Sequence, residues 1–258
     1  MFLEKIVEIK KDEIQRRRTR SRQKEMEETI SLLPPARDFM ESISRHSPMA
    51  LIAEIKRASP SVGVIKEDID LRWIASAYEA GGACAISVLT EVQFFKGNLS
   101  HLGQVKERTS LPVLQKDFIL DPFQIYEGRA SGTDALLLIA SLLSREQLRD
   151  FVNLTKELRM SPLVEIHNES DLEKVSTLDL PLIGINNRDL KTFEVDLGTT
   201  LRLRKEISLE TRVISESGIK SSKDVKILQE AGVNGILVGE ILMRSSDPAS
   251  KIKELLER

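Results

Sequence analysis

The chain has 258 residues, 41% of them apolar, which suits one large core in one barrel-sized domain with a small extension. Its 38 Lys and Arg stand against 40 Asp and Glu, and aromatic residues make up only 4%. That balance excludes a basic nucleic-acid footprint and a base-stacking platform. No apolar signal core opens the chain and no apolar run reaches membrane length, so a cytoplasmic protein is expected, with no nucleic-acid or membrane partner.

Residues 1–48 read as a helical extension packed on a barrel formed by residues 49–258. FLEKIVEIKKDEIQRR places Leu3, Ile6, Val7 and Ile14 along one side of a helix. The basic run Arg16 to Arg18, with Arg20 and Arg22, is countered by Glu25, Glu27 and Glu28 and reads as a solvated face. Pro34 and Pro35 break the chain, and ARDFMESIS predicts a second short helix. Periodicity leaves both ends of the barrel open to this extension.

From residue 51 onward, eight strand-like runs follow, their centres roughly 20 to 33 residues apart, a spacing that fits one βα unit each. The first, LIAEIKRASPS, is apolar but carries Glu54 and Lys56 on one face. Isolated charges in a buried strand cost several kcal/mol at least, on the order of what a whole core contact contributes, so such a pair needs a reason. ACAISVLT follows, with Cys84 as a buried small hydrophobe that can form no disulfide within one chain. LPVLQKDF ends in Lys116 and Asp117. After DALLLIASLL comes SPLVEIH, ending in Glu165 and His167. LIGINNRDL ends in Asn186, Asn187 and Arg188, RVISESGI in Glu216, Ser217 and Gly218, and NGILVGE closes the series.

Helical patterns fill the gaps. LRWIASAYEAGG puts Trp73, Ala77 and Ala80 on one side and stops at Gly81 and Gly82. SREQLRDFVNLTKELR starts at Ser144, whose spacing to Gln147 fits a capping box, and turns Leu148, Phe151 and Val152 inward. SSKDVKILQEAG repeats the scheme with Val225, Leu228 and a stop at Gly232. Strand and helix alternating eight times predict α/β architecture, a closed (β/α)8 TIM barrel. The competing open doubly wound sheet calls for a glycine-rich turn after the first strand, which is absent. In a barrel of this kind active groups sit at the carboxyl ends of the strands, where the polar endings lie. Parity lets Glu54, Lys56, Lys116, Glu165, Asn186 and Glu216 all point inward. His167 shares the parity of Glu165 one pleat further out and reads as a rim histidine. Asp117 has outward parity and reads as structural. No Cys/His cluster offers a metal site.

In order along the chain, LEKIV, the RDF of residues 37–39, AEIKRASPS, SVLTEVQFFKG, LPVLQKDFI, LVEIH, GINNRDL, SESGI and VGEILMR resemble indole-3-glycerol phosphate synthase over nearly the whole length. AEIKRASPS and LPVLQKDFI carry most of the specificity. The resemblance implies conversion of 1-(2-carboxyphenylamino)-1-deoxyribulose 5-phosphate to indole-3-glycerol phosphate, with release of carbon dioxide and water, without metal or organic cofactor. It implies Lys116 as general acid, Glu165 as general base, Lys56 as an anion-binding second acid, Glu54 as its orienting partner and Asn186 as an amide donor. Arg188 matches the guanidinium that holds the anthranilate carboxylate. Glu216 and Ser217 match contacts at the end of the seventh strand. Phosphate is expected where Gly218, Leu237, Gly239 and Glu240 meet, with the Glu240 side chain turned away. Ser59 and Pro60 lead into a loop over the site, and Phe95 and Phe118 are expected as an aromatic wall. Where the family often has a lysine in that loop, this chain has Val62, with Gly63 as a hinge or tight turn. Expected partners are the small phosphorylated substrate and, in trans, other tryptophan-pathway enzymes. Rival readings are a phosphosugar barrel such as phosphoribosylanthranilate isomerase, which calls for a cysteine and an aspartate at strand ends and leaves Lys116 unexplained, and a phosphate-binding barrel without turnover.

Overall fold

The computed structural model describes residues 2–257. Met1 and Arg258, the outer limits of the two expected segments, lie outside them. Three helices lead, α1 (Phe2–Arg17), α2 (Arg20–Leu32) and α3 (Phe39–Arg45). Eight strands follow: β1 (Ala50–Ile55), β2 (Ala85–Leu89), β3 (Val113–Lys116), β4 (Ala135–Ile139), β5 (Ser161–Ile166), β6 (Leu182–Asn186), β7 (Arg212–Glu216) and β8 (Gly235–Val238). Between them run α4 (Leu71–Gly81), α5 (Ser100–Lys106), α6 (Pro122–Ala130), α7 (Arg145–Glu157), α8 (Glu169–Val175), α9 (Gly198–Leu203) and α10 (Ser222–Glu230). After β8 come α11 (Glu240–Arg244) and α12 (Pro248–Leu256). Each strand pairs in parallel with its sequence neighbours, and β1 pairs with both β2 and β8, so the sheet closes. This is the expected (β/α)8 barrel.

Period-two alternation builds two cores. Leu51, Ala53, Ile86, Val88, Leu136, Leu138, Val164, Ile183, Ile185, Val213 and Ile236 face outward and pack against the helices. Ala50, Ile52, Ala85, Leu114, Leu137, Leu163, Leu182, Ile214 and Leu237 fill the interior. Each Val, Leu or Ile among them contributes about 1.5–3 kcal/mol when fully buried. The expected caps form: Ser144 and Gln147 make a capping box, and Gly82 ends α4 in the left-handed conformation. On α4 the expected face is corrected. Ile74, Ala75, Tyr78 and Gly81 are buried, whereas Trp73 is 48% exposed. The helix is apolar on more than one side, and contact with α12 selects the side with small residues. A Cβ on Gly81 would lie 3.0 Å from the Ala249 backbone.

The extension reaches both ends of the barrel. Leu3 and Ile6 of α1 pack with Phe118 above the carboxyl ends of the strands. Phe39 and Ile43 of α3 are fully buried against Ala50, Cys84, Ala85 and Ala135 at the amino ends. There Ser42 Oγ donates to the Cys84 carbonyl (2.6 Å) and the Arg37 N–H to Asp134 Oδ1 (2.7 Å). In between, α2 lies along α6. The basic run is not merely solvated: Arg22 (3.1 Å) and Arg17 (3.5 Å) both pair with buried Glu127, and Arg18 pairs with Asp121 (2.9 Å). Arg16, Arg18, Arg20 and Arg22 keep the expected exposure, and Arg17 is half-buried. Among the described residues no helix is long and apolar enough to cross a membrane.

Candidate active site

The inward residues nearest the carboxyl ends of the odd strands are Glu54 (β1), Lys116 (β3), Glu165 (β5) and Glu216 (β7). A barrel interior is built in layers of four side chains from alternate strands, usually bulky and aliphatic. Here that layer is ionisable. Lys116 Nζ reaches across the barrel to Glu165 Oε2 (3.0 Å) and Glu216 Oε2 (2.6 Å). Lys56, two residues beyond Glu54, pairs with Glu54 Oε1 at 2.7 Å. The even strands make room. A Cβ on Gly184 would collide with Glu216 Oε1, and one on Gly239 with Glu54 Oε1.

Charge in this layer is mutually determined. Burial disfavours the Lys116 ammonium, but the carboxylates of Glu165, Glu216 and Glu54 outweigh it and hold the lysine charged, well above the ordinary lysine range. Burial also works against an ionised Glu165, yet Lys116 and His167 hold its carboxyl well below the usual range. Burial pushes Glu216 up to about 8, and the charge of Glu165 adds to this against the pull of Lys116. Two carboxylates around one ammonium thus share one proton near neutrality, a property of the pair. His167, beside Glu165, biases the proton toward Glu216.

Above this layer opens a cavity of about 590 Å³. It is lined by every expected catalytic and substrate-binding residue: Glu54, Lys56, Ser59, Pro60, Phe95, Lys116, Phe118, Glu165, Asn186, Arg188, Glu216, Ser217, Gly218, Leu237, Gly239 and Glu240. One side is apolar, with Phe95 tilted at 45° to Phe118 (centroids 6.2 Å apart). Phe95 is held there by buried Glu91, whose carboxylate accepts the N–H groups of Gln93, Phe94 and Phe95. Arg188 sits at the end of β6, its N–H bonded to Asn186 Oδ1 (3.0 Å) and its guanidinium to the Phe193 carbonyl (3.1 Å). After the neighbouring strand β7, Ser217 and Gly218 both adopt positive φ (68° and 84°), and Asn187 Nδ2 fixes the Ser217 carbonyl (3.0 Å). Glu240 turns its carboxylate onto Arg244 Nε (3.0 Å). Gly63 (φ 74°) follows the tight turn of a two-stranded ribbon, Ala58–Ser59 with Gly63–Val64, and opens its second strand, and Val62 in the turn is exposed.

Sequence reasoning missed several lining residues, among them Leu3 and Ile6 from α1, Leu190 and Phe193 after β6, and Arg244 on α11. Their faces are set by tertiary docking, which no local pattern carries. Asp117 points away from the layer and pairs with Lys10 of α1 (3.0 Å), the structural role its parity predicts, with a helix as the element it anchors.

A rim with one ammonium between two carboxylates can give and take protons from a molecule lying above it, and the protein is a (β/α)8-barrel enzyme. The family model described as indole-3-glycerol phosphate synthase matches residues 3–255. An indole-3-glycerol phosphate synthase of Desulforamulus reducens is 46% identical over 257 residues, covering 99% of this chain and 97% of the relative. Another, from Caldanaerobacter subterraneus subsp. tengcongensis, is 44% identical over 259 residues, covering 100% and 98%. The chain belongs to the indole-3-glycerol phosphate synthase family. Its function is the decarboxylating lyase step that closes the indole ring in tryptophan biosynthesis. Solved structures share the fold alone. A chain of the tryptophan synthase a2b2 complex of Pyrococcus furiosus has a TM-score of 0.58 at 16% identity, covering 81% of this chain and 98% of that one. The (S)-3-O-geranylgeranylglyceryl phosphate synthase of Thermoplasma acidophilum has 0.60 at 14%, covering 85% and 96%.

Proposed function

We propose that Lys116 is the general acid and Glu165 the general base of this ring closure. The ring carbon bearing the carboxylate attacks the ketone carbon, and Lys116 delivers a proton to the ketone oxygen as the new bond forms. Carbon dioxide leaves and the ring regains aromaticity. Glu165 then takes the ring-amine proton while the new hydroxyl leaves as water, protonated by Lys56 or by Lys116 once Glu216 has recharged it, and a proton lost from the ring CH2 and regained at nitrogen completes the indole. Glu54 orients Lys56, and Asn186 donates to the substrate. Glu216, holding its proton near neutrality, is a polar contact and reservoir for the pair. The observation that carries this reading is the reach of Lys116 Nζ to both Glu165 and Glu216 within one cavity.

The substrate has an aromatic carboxylate end and a phosphate end, and the cavity has matching sides. The anthranilate ring lies against Phe95 and Phe118, with its carboxylate on Arg188, whose planar fork suits a planar anion. The phosphate lies at the corner of Ser217, Gly218, Leu237, Gly239 and the Glu240 N–H, where left-handed backbone exposes N–H groups and the Glu240 carboxylate is drawn off by Arg244. Ser59 and Pro60 border the same opening. A phosphorylated substrate of this charge does not cross a bilayer, which supports an enzyme that works in the compartment where its substrate is made, the cytoplasm, with the other tryptophan-pathway enzymes as candidate partners in trans.

The test is turnover followed by indole fluorescence as substrate closes. The native chain is expected to turn over, and Lys116→Met to lose activity by more than about a hundredfold with its circular dichroism unchanged. Full turnover in Lys116→Met would remove the assigned acid. Anion binding without turnover in the native chain would favour the non-catalytic alternative.

A further inference from the structure

His167 is 8% exposed and does not line the cavity, so it does not touch a substrate held there. It nevertheless stands against the rim layer. Its Nε2 lies 3.2 Å from Glu165 Oε1, the carboxylate oxygen that Lys116 leaves free, since Lys116 holds Oε2. Its Nδ1 lies 3.5 Å from Asp171 Oδ2. Asp171 is itself fixed at the start of α8, accepting the His167 backbone N–H (3.1 Å) while Asn168 caps its own N–H (2.9 Å). A chain of charged contacts thus runs Asp171, His167, Glu165, Lys116, Glu216, from a helix terminus to the reacting layer; the two ring contacts of His167 are ion-pair contacts without hydrogen-bond alignment.

We propose that His167 is a positioning residue for Glu165. It clamps one carboxylate oxygen while Lys116 clamps the other, so that Glu165 stays ionised as the base and Glu216 carries the shared proton. The inference rests on the reading of Glu165 as base. Asymmetry is what requires it. Both carboxylates are buried and both meet Lys116, which lies nearer Glu216 (2.6 Å) than Glu165 (3.0 Å); among the described residues only Glu165 has a second cation within ion-pair distance.

Glu165 and Asp171 are the acids that face the ring. Lys116 faces it from beyond Glu165. On α8, Lys174 donates to the carbonyls of Ala140 and Leu143, and Arg188 at the end of β6 donates to Phe193. The turn after β4, Ala140–Leu142, carries no titratable side chain. Burial disfavours the imidazolium, but Asp171 and Glu165 together raise His167 to about 9, so the ring is charged at neutral pH.

The chain has three histidines, so ring proton NMR can follow each one. One ring, assigned through His167→Gln, is expected to titrate near pH 9, and Asp171→Asn is expected to lower it by about one unit. In His167→Gln the acid limb of the kcat profile is expected to rise by about one pH unit, with KM changed less than twofold, roughly, because the ring lies outside the cavity. A His167 that titrates at or below about 6.5, the ordinary value, overturns the proposal. So does a His167→Gln profile that superimposes on the native one. If His167→Gln does not fold, the native titration and Asp171→Asn decide. If the native chain closes no ring, the assignment of Glu165 as base fails, and the titration still reports separately whether the clamp is charged.

Discussion

Lys10 Nζ and the Asp117 carboxylate meet at 3.0 Å, with 2% and 7% of their side chains exposed, which fastens α1 to the residue directly after Lys116. Thr90 Oγ1 donates to the same carboxylate (2.6 Å). Burial opposes the Lys10 ammonium, but Asp117 and Glu13 outweigh it and raise its pKa. The helix that brings Leu3 and Ile6 to the cavity is therefore tied to the strand that presents the proposed acid. Wall and acid are assembled by one contact.

Lys10→Met should expose that dependence. Removing one partner leaves a buried unpaired carboxylate, which costs about 3–5 kcal/mol. Urea unfolding should show the loss, and the double variant with Asp117→Asn should recover much of it. Because α1 supplies apolar wall and no proton donor, KM should rise more than kcat falls. An unchanged urea midpoint would show that the pair contributes nothing net.

Two glycines make room for the acids of the rim. Gly184→Ala drives a methyl into Glu216, and Gly239→Ala one into Glu54. Each should lower kcat/KM by about a hundredfold, the scale of a misplacement near 1 Å, with secondary structure intact. Gly103→Ala on α5 is the control. Its Cβ meets nothing within 4 Å, and it should raise stability by about 0.5–1 kcal/mol without touching activity. Normal rates in both rim variants would mean that the carboxylates need not stand where they do.

Stability should fall on the alkaline side. His167 is raised in the fold to about 9 and Glu216 to about 8, so both bind protons more tightly folded than unfolded. The contribution of His167 is complete below its unfolded value of about 6.5 and is lost as pH rises through 9; that of Glu216 declines from about 4.5 through 8. Glu165, lowered in the fold, acts oppositely and loses its contribution as pH drops below about 4.5. Melting curves should give a lower Tm at pH 10 than at pH 7, and His167→Gln should flatten that slope. An equal Tm at both pH values would contradict the linkage.

Val62 stands exposed in the ribbon turn where the family often has a lysine. Val62→Lys should lower KM by roughly two- to fivefold at low ionic strength, and the gain should vanish at high salt, because a cation beside the opening attracts the anionic substrate. KM measured at both salt levels decides it. No change at either would mean that the loop charge is not used in capture.

The rim was legible in sequence because its residues break a rule. Glu54, Lys116, Glu165 and Glu216 are charges placed with inward parity in runs that otherwise belong in a core, and period-two alternation is enough to aim them at one another. Phe95 was reached only through the motif around it, since the Glu91 carboxylate that positions it reads as an ordinary loop acid. The α4 face was misread because Trp73 is the largest apolar side chain there, whereas close helix contact prefers Ala75 and Gly81. His167 was read as a rim residue because its partners lie on both sides of a strand-to-helix junction. The docking of Arg17, Arg18 and Arg22 was hidden for a simpler reason: Asp121 and Glu127 lie more than a hundred positions away, beyond any local period.

That separation has a consequence for how the molecule is born. Lys10, Arg18 and Arg22 pair with acids between Asp117 and Glu127, the Arg37 N–H reaches Asp134, and the Pro34 carbonyl finds Arg129 in the same stretch. A chain leaving the ribosome from its amino end must carry Ile6 and Ile14 uncovered until that stretch emerges. From then on, the leading segment and the first half can settle together, well before the last stave arrives. The segment that looks like an appendage is a clasp on the early half.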